Sequence, residues 1–186
     1  MKTINDDLVL NWDGKLLDPF NLKESDFDDI AMQAAVTLSG LRRFWGQTQI
    51  PYTVAQHCLS MVEYFNGDLE LQQWAIGHEI FEALTGMDVP TPFKKKLPEY
   101  KVAENKALVM FANLYGLKPP TPEIVKKVDK GLMVFEAFAL MKQNPNYDWV
   151  TRYGEPVDAK LYRLGASENE IRNDFLVTWQ NLFGRL

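Results

Sequence analysis

The chain has 186 residues, 46% of them hydrophobic and 12% aromatic, with 20 basic against 25 acidic side chains and a net charge of −5. These totals describe one ordinary globular domain able to bury a core, and they exclude a disordered chain. They also exclude the broad basic face of a binder of nucleic-acid polymers, while leaving room for a small phosphorylated ligand held by a few local cations.

A single cysteine, Cys58, rules out an intramolecular disulfide and fits a reducing cytoplasm, or a host cytoplasm for a phage-encoded chain. The first residues, Met-Lys-Thr-Ile-Asn-Asp-Asp, carry no apolar signal core. No apolar run approaches the roughly 20 residues of a membrane span, so no membrane association is expected.

Residues 1–22 alternate weakly around Leu8, Leu10, Trp12 and Leu16, and Asp13-Gly14 is a turn pair, which predicts a small hairpin. Ser25 precedes Asp26, Asp28 and Asp29, acids suited to a helix N-terminus. The spacing of Phe27, Ile30, Ala31, Ala34, Ala35 and Leu38 then predicts a first helix to about residue 39. Residues 40–52, GLRRFWGQTQIPY, form a loop dense in arginine and aromatic side chains.

Thr53-Val54-Ala55-Gln56 is a capping box that opens a second helix over about 54–65, with His57 in its first full turn. A third helix is expected over about 69–85. Gly86, Pro90, Pro92 and Pro98 forbid a long helix in the next segment. Two further helices follow, at about 99–115 and 122–143, the second with Asp129 among its apolar positions. Residues 144–166 are rich in Asn, Pro and Gly and read as irregular. Ser167-Glu168-Asn169-Glu170 is a second capping box and opens a final helix to about 182. The expected fold is all-α: one helical domain over 1–186 with a small N-terminal hairpin.

The informative stretch is Gly77-His78-Glu79-Ile80-Phe81-Glu82-Ala83-Leu84. It sets one of the chain's two histidines and two carboxylates within apolar sequence, and buried carboxylates are costly unless something positive sits among them. On a continuous helix His78 and Glu82 share a face, and Glu79 is turned about 100° from His78. A lone core histidine is more often hydrogen-bonded than ligating. Asp129, beside Lys126, Lys127 and Lys130, would by itself be a half-exposed helix residue. The conjunction of both histidines with inward carboxylates is what points to a divalent metal, whose usual ligands are imidazole and carboxylate.

These motifs, in this order, resemble the HD-domain metal-dependent phosphohydrolases, closest to the small 5′-deoxynucleotidases and the phage-type deoxynucleoside triphosphate triphosphohydrolases. The likeness rests on residues 40–58 (GLRRFWGQTQIPYTVAQHC), 77–96 (GHEIFEALTGMDVPTPFKKK) and 126–130 (KKVDK). It implies an HD-type bundle with His57, His78, Glu79 and Asp129 as metal ligands. Glu82 and Asp88 would be catalytic acids, and Arg43 would contact phosphate. Phe44 and Trp45 would face the base or sugar, and Lys94 would assist in binding substrate. The implied cofactor is cobalt, manganese, zinc or iron, with magnesium as the candidate for a second site. The implied partners are a deoxynucleotide substrate and further copies of the chain in a homo-oligomer. Three departures stand out: Glu79 replaces the family's aspartate, Gln47 replaces a frequent histidine, and Met87 lengthens the approach to Asp88 by one residue.

Overall fold

The computed structural model describes residues 8–185, and the fold is an all-α bundle with a two-stranded N-terminal hairpin. In the hairpin, β1 (Val9–Leu10) pairs antiparallel with β2 (Leu16–Leu17). Asn11 closes the turn by accepting the Lys15 amide at 2.7 Å. Gly14 supplies the left-handed backbone, φ 85°, that the turn requires. Residues 1–7 of the expected hairpin lie outside the described range.

The bundle is built around α2 (Val54–Tyr64). Thr53 and Gln56 cap it reciprocally, as the sequence predicts, and every residue from Val54 to Val62 is buried. A helix buried on all sides belongs at the centre of a domain. It packs against α1 (Ile30–Gly40), α3 (Leu69–Gly77), α7 (Glu123–Leu140) and α9 (Glu168–Phe183). Ala31, Ala34 and Ala35 give α1 a low-relief face, against which α9 and α4 (Ile80–Thr85) lie. Behind α3, Trp74, Phe111 and Trp179 form a wholly buried aromatic centre, with Phe111 contributed by α6 (Pro98–Tyr115).

Three expectations are corrected. The first helix begins at Ile30, because Glu24–Phe27 form a 3-10 turn and Asp29 takes a left-handed conformation, φ 55°. The irregular stretch after Leu140 contains α8 (Trp149–Tyr153), capped by Asp148, whereas the segment after Gly86 holds, as expected, no long helix and only the single turn α5 (Thr91–Lys94). Above all, the helix expected over 69–85 is two helices. Between α3 and α4 the backbone leaves helical geometry at Glu79, φ −100° and ψ 27°. Among the described residues, no helix is long and apolar enough to cross a membrane.

Candidate metal centre

The break between α3 and α4 places His78 and Glu79. The His78 ring turns back along its own helix, and its Nδ1 donates to the Ala75 carbonyl at 2.7 Å. That bond satisfies a carbonyl of the last turn and fixes the tautomer, so the Nε2 lone pair points away from the helix. Glu79, freed from helical geometry, aims its carboxylate at the same point: Oε1 lies 3.6 Å from His78 Nε2. Side chains about 100° apart on a regular helix converge here because the helix stops.

His57 reaches the point from α2, in the centre of the core. Its Nδ1 donates to Glu136 at 2.7 Å, and its Nε2 lies 3.2 Å from Asp129 Oδ1. Asp129 comes from α7 and also stands 3.9 Å from His78 Nε2. One ligand atom from each of His57, His78, Glu79 and Asp129 lies within 4.8 Å of the others. Ligand atoms around a tetrahedral zinc-sized ion stand roughly 3.3–3.6 Å apart, and the separations of 3.2, 3.6 and 3.9 Å among these side chains bracket that spacing.

The donor set fits a cation on a second count. Both Nε2 atoms are buried and lack a hydrogen-bond partner, while both Nδ1 atoms are occupied. Two imidazoles locked with their free lone pairs toward two carboxylates form an electron-rich concavity that could hold a divalent cation. Without a cation, a proton serves in its place. Burial and Arg43 oppose a charge on His57, but Glu136 and Asp129 outweigh them and push its pKa up to about 9. Burial likewise opposes ionisation of Asp129, yet His57, 3.2 Å away, and the nearby His78 and Arg43 hold it well below the usual carboxylate range. Glu79 is also held down, by His78 and Lys94 against its burial.

Arg43 is buried beside this cluster. The loop that carries it is zipped at its base by the Arg43 amide donating to Tyr52 O and the Val54 amide donating to Leu41 O, both at 3.0 Å. Its Nε and Nη2 donate to Glu136 Oε2 at 3.2 and 3.1 Å, while Nη1 is 3.8 Å from Glu79. Glu136, fully buried and bonded to both Arg43 and His57, was missed in the sequence. The signal was present: a lone carboxylate in the apolar run Met133–Leu140, seven residues after Asp129 on the same helix face.

The remaining expected site residues fall into two groups. Arg43, Phe44, Glu79, Asp88, Lys94 and Asp129 line one cleft of about 220 Å³. Burial lifts the Asp88 carboxyl above its ordinary range despite the pull of Arg43. Glu82 lies behind the cleft wall, fully buried, where its Oε1 accepts from Lys94 at 2.6 Å and from Tyr100 at 3.4 Å. Burial first, and Glu79 second, raise the Glu82 carboxyl well above the carboxylate range, leaving Oε2 without a partner. Lys94 is shared with Glu104, also at 2.6 Å. Trp45 is absent from the cleft lining: it tilts against Phe93, with ring centroids 4.9 Å apart, and its indole N–H donates to the Asp88 carbonyl at 3.0 Å. Phe44 and Trp45 both hold left-handed backbone, φ 53° and 54°, with Phe44 packed on Trp149 and Trp45 on Phe93. Gln47 is exposed and outside the cleft lining.

No family model matches the chain. It is similar to the uncharacterized protein YfdR of Escherichia coli (strain K12), 34% identical over 110 residues that make up 59% of this chain and 60% of that protein. The aligned part thus spans less than two thirds of that relative's length, and the relative's name assigns it no activity.

Proposed function

We propose that the protein is a divalent-cation-dependent phosphohydrolase that cleaves the 5′ phosphoester bond of deoxynucleotides, as the resemblance to HD-domain enzymes implies. The products would be a deoxynucleoside with either phosphate or triphosphate. One observation carries the reading: two buried, unpartnered Nε2 atoms face Glu79 and Asp129 on the wall of a cleft that also holds Arg43 and Asp88. His57, His78, Glu79 and Asp129 would hold the cation, which would supply Lewis acidity toward a phosphoryl oxygen and the attacking water.

The chain's own residues divide the rest of the work. Arg43, gripped by Glu136 through two nitrogens, keeps Nη1 on the side of Glu79 to offset charge on the phosphoryl oxygens. Asp88 lines the cleft with its carboxyl shifted upward, the direction a general acid needs to hand a proton to the departing 5′ oxygen. Glu82, held by Lys94 and Tyr100, acts from behind the wall by keeping Lys94 in place.

The test is a screen of deoxy- and ribonucleotides with cobalt, manganese or zinc, resolving nucleoside from each phosphate product. Release of deoxynucleoside, abolished in His78→Ala, is the expected result. No product with any of these metals, or activity that survives His78→Ala, overturns the reading. A second reading is a nucleotide-binding protein without turnover. It is favoured by Glu79 in the place of aspartate and by the engagement of Glu82 with Lys94. Glu79→Asp separates the two: a large gain in turnover supports the second, and a loss makes glutamate the working ligand.

A further inference from the structure

The cleft has an aromatic wall that its charged residues do not explain. Phe44 meets Trp149 edge-on, with ring centroids 6.0 Å apart. Trp149 in turn packs against Tyr147 at 4.8 Å and Tyr153 at 5.6 Å, and the two tyrosine hydroxyls lie 3.3 Å apart. All four rings line the cleft that Arg43, Glu79 and Asp129 line, and each is half-buried. The aromatic and charged sets join at Arg43, whose guanidinium stands 5.5 Å from the Phe44 ring centroid.

We propose that this wall, with Trp149 at its centre, is the platform for a planar heteroaromatic ring joined to the phosphate ester, so that the cleft selects nucleotides over ring-free sugar phosphates. The inference rests on the reading above, in which the charged part of the cleft takes a phosphate ester. Partly exposed tryptophan and tyrosine rings bring apolar faces with polar tips, the combination that binds a flat ligand with hydrogen-bonding edges. Stacking of this kind tolerates any base, because every base presents a π-face. Phe44 links the two sets, since it follows Arg43 directly and touches Trp149. Tyr147, Trp149 and Tyr153 all come from the segment between α7 and α9, which the sequence marks only as irregular.

The experiment compares wild type, Trp149→Leu and Trp149→Phe as full-length, manganese-supplemented protein. Leucine keeps bulk without a π-face and phenylalanine restores one, and thermal melts confirm that all three fold. Each is given the deoxynucleoside monophosphates and 2-deoxyribose 5-phosphate, which carries the ester without a ring. Equilibrium binding and turnover are read separately. The expected result is binding of the nucleotides weakened about tenfold by Trp149→Leu and recovered by Trp149→Phe, with 2-deoxyribose 5-phosphate handled alike by all three. Ring-dependent binding lost in Trp149→Leu but without turnover in any protein upholds the platform and counts only against manganese-dependent hydrolysis of monophosphates. Turnover that ignores the ring and the substitution keeps the hydrolase and overturns the platform. Equal losses on both ligands, or no binding of either, also overturn it.

Discussion

Glu136 stands outside the four grouped side chains of the candidate centre and bonds to one of them, His57, and to Arg43 beside it. It accepts from His57 Nδ1 and from two nitrogens of Arg43, so one buried carboxylate sets both the imidazole tautomer and the guanidinium position. Burial opposes its charge, but His57 and Arg43 hold its pKa below the ordinary range. Partners of this kind, bonded to the far nitrogen of a metal-ligating histidine, typically change metal affinity 10- to 100-fold when removed. Glu136→Gln is therefore expected to weaken manganese or cobalt binding by about that factor, as read by calorimetric titration, with the fold intact. Unchanged affinity would contradict the orienting role. Glu136→Ala goes further: it strands a buried guanidinium, and a loss of about 3–5 kcal/mol is expected in denaturant unfolding.

At the scale of elements, the joint between α3 and α4 converts a sequence motif into a site. Gly77, its last helical residue before His78, lies beneath the Phe111 ring: a Cβ there would stand 2.1 Å from the nearest ring carbon. Nothing larger than hydrogen fits at this contact between α3 and α6, one residue before His78. Gly77→Ala is expected to destabilise the protein by about 1–3 kcal/mol through overpacking. It should also reduce cation affinity, since His78 is the next residue. Matched denaturation curves and metal titrations check both. The capping boxes at Thr53 and Ser167 were legible because they are local: each needs only a side chain and an amide a few residues away. The break at Glu79 was not legible, because residues 69–85 carry continuous helical spacing and no proline. It is imposed by packing and by His78 bonding to Ala75. The grouping of His57, His78, Glu79 and Asp129 could be read from residue type and resemblance, but the geometry that turns Glu79 toward His78 comes from that break, and the engagement of Glu82 by Lys94 had no local signal. The aromatic wall escaped notice because Asn- and Pro-rich spacing hid α8.

Across the whole molecule, the centre ties α2, the α3–α4 joint and α7 together, so its charge state bears on global stability. Without a cation, burial and Arg43 are outweighed by Glu136 and Asp129, which push the His57 pKa from 6.5 up to about 9. A raised folded-state value means the stabilisation from protonated His57 is fully present below the unfolded value and fades as pH climbs through the folded one. Cation-free protein should therefore lose thermal stability between about pH 6.5 and 9. With a cation in place of that proton the slope should flatten, and the melting temperature should rise with cation concentration. Parallel melts with chelator and with manganese check this, and identical pH slopes in the two series would contradict it.

The most direct measurement is anomalous diffraction from crystals of the full chain grown with cobalt. The account predicts one strong peak bounded by His57 Nε2, His78 Nε2 and the carboxylates of Glu79 and Asp129, absent from His78→Ala crystals. Density with no peak there, or with cobalt held only at surface side chains, would contradict it.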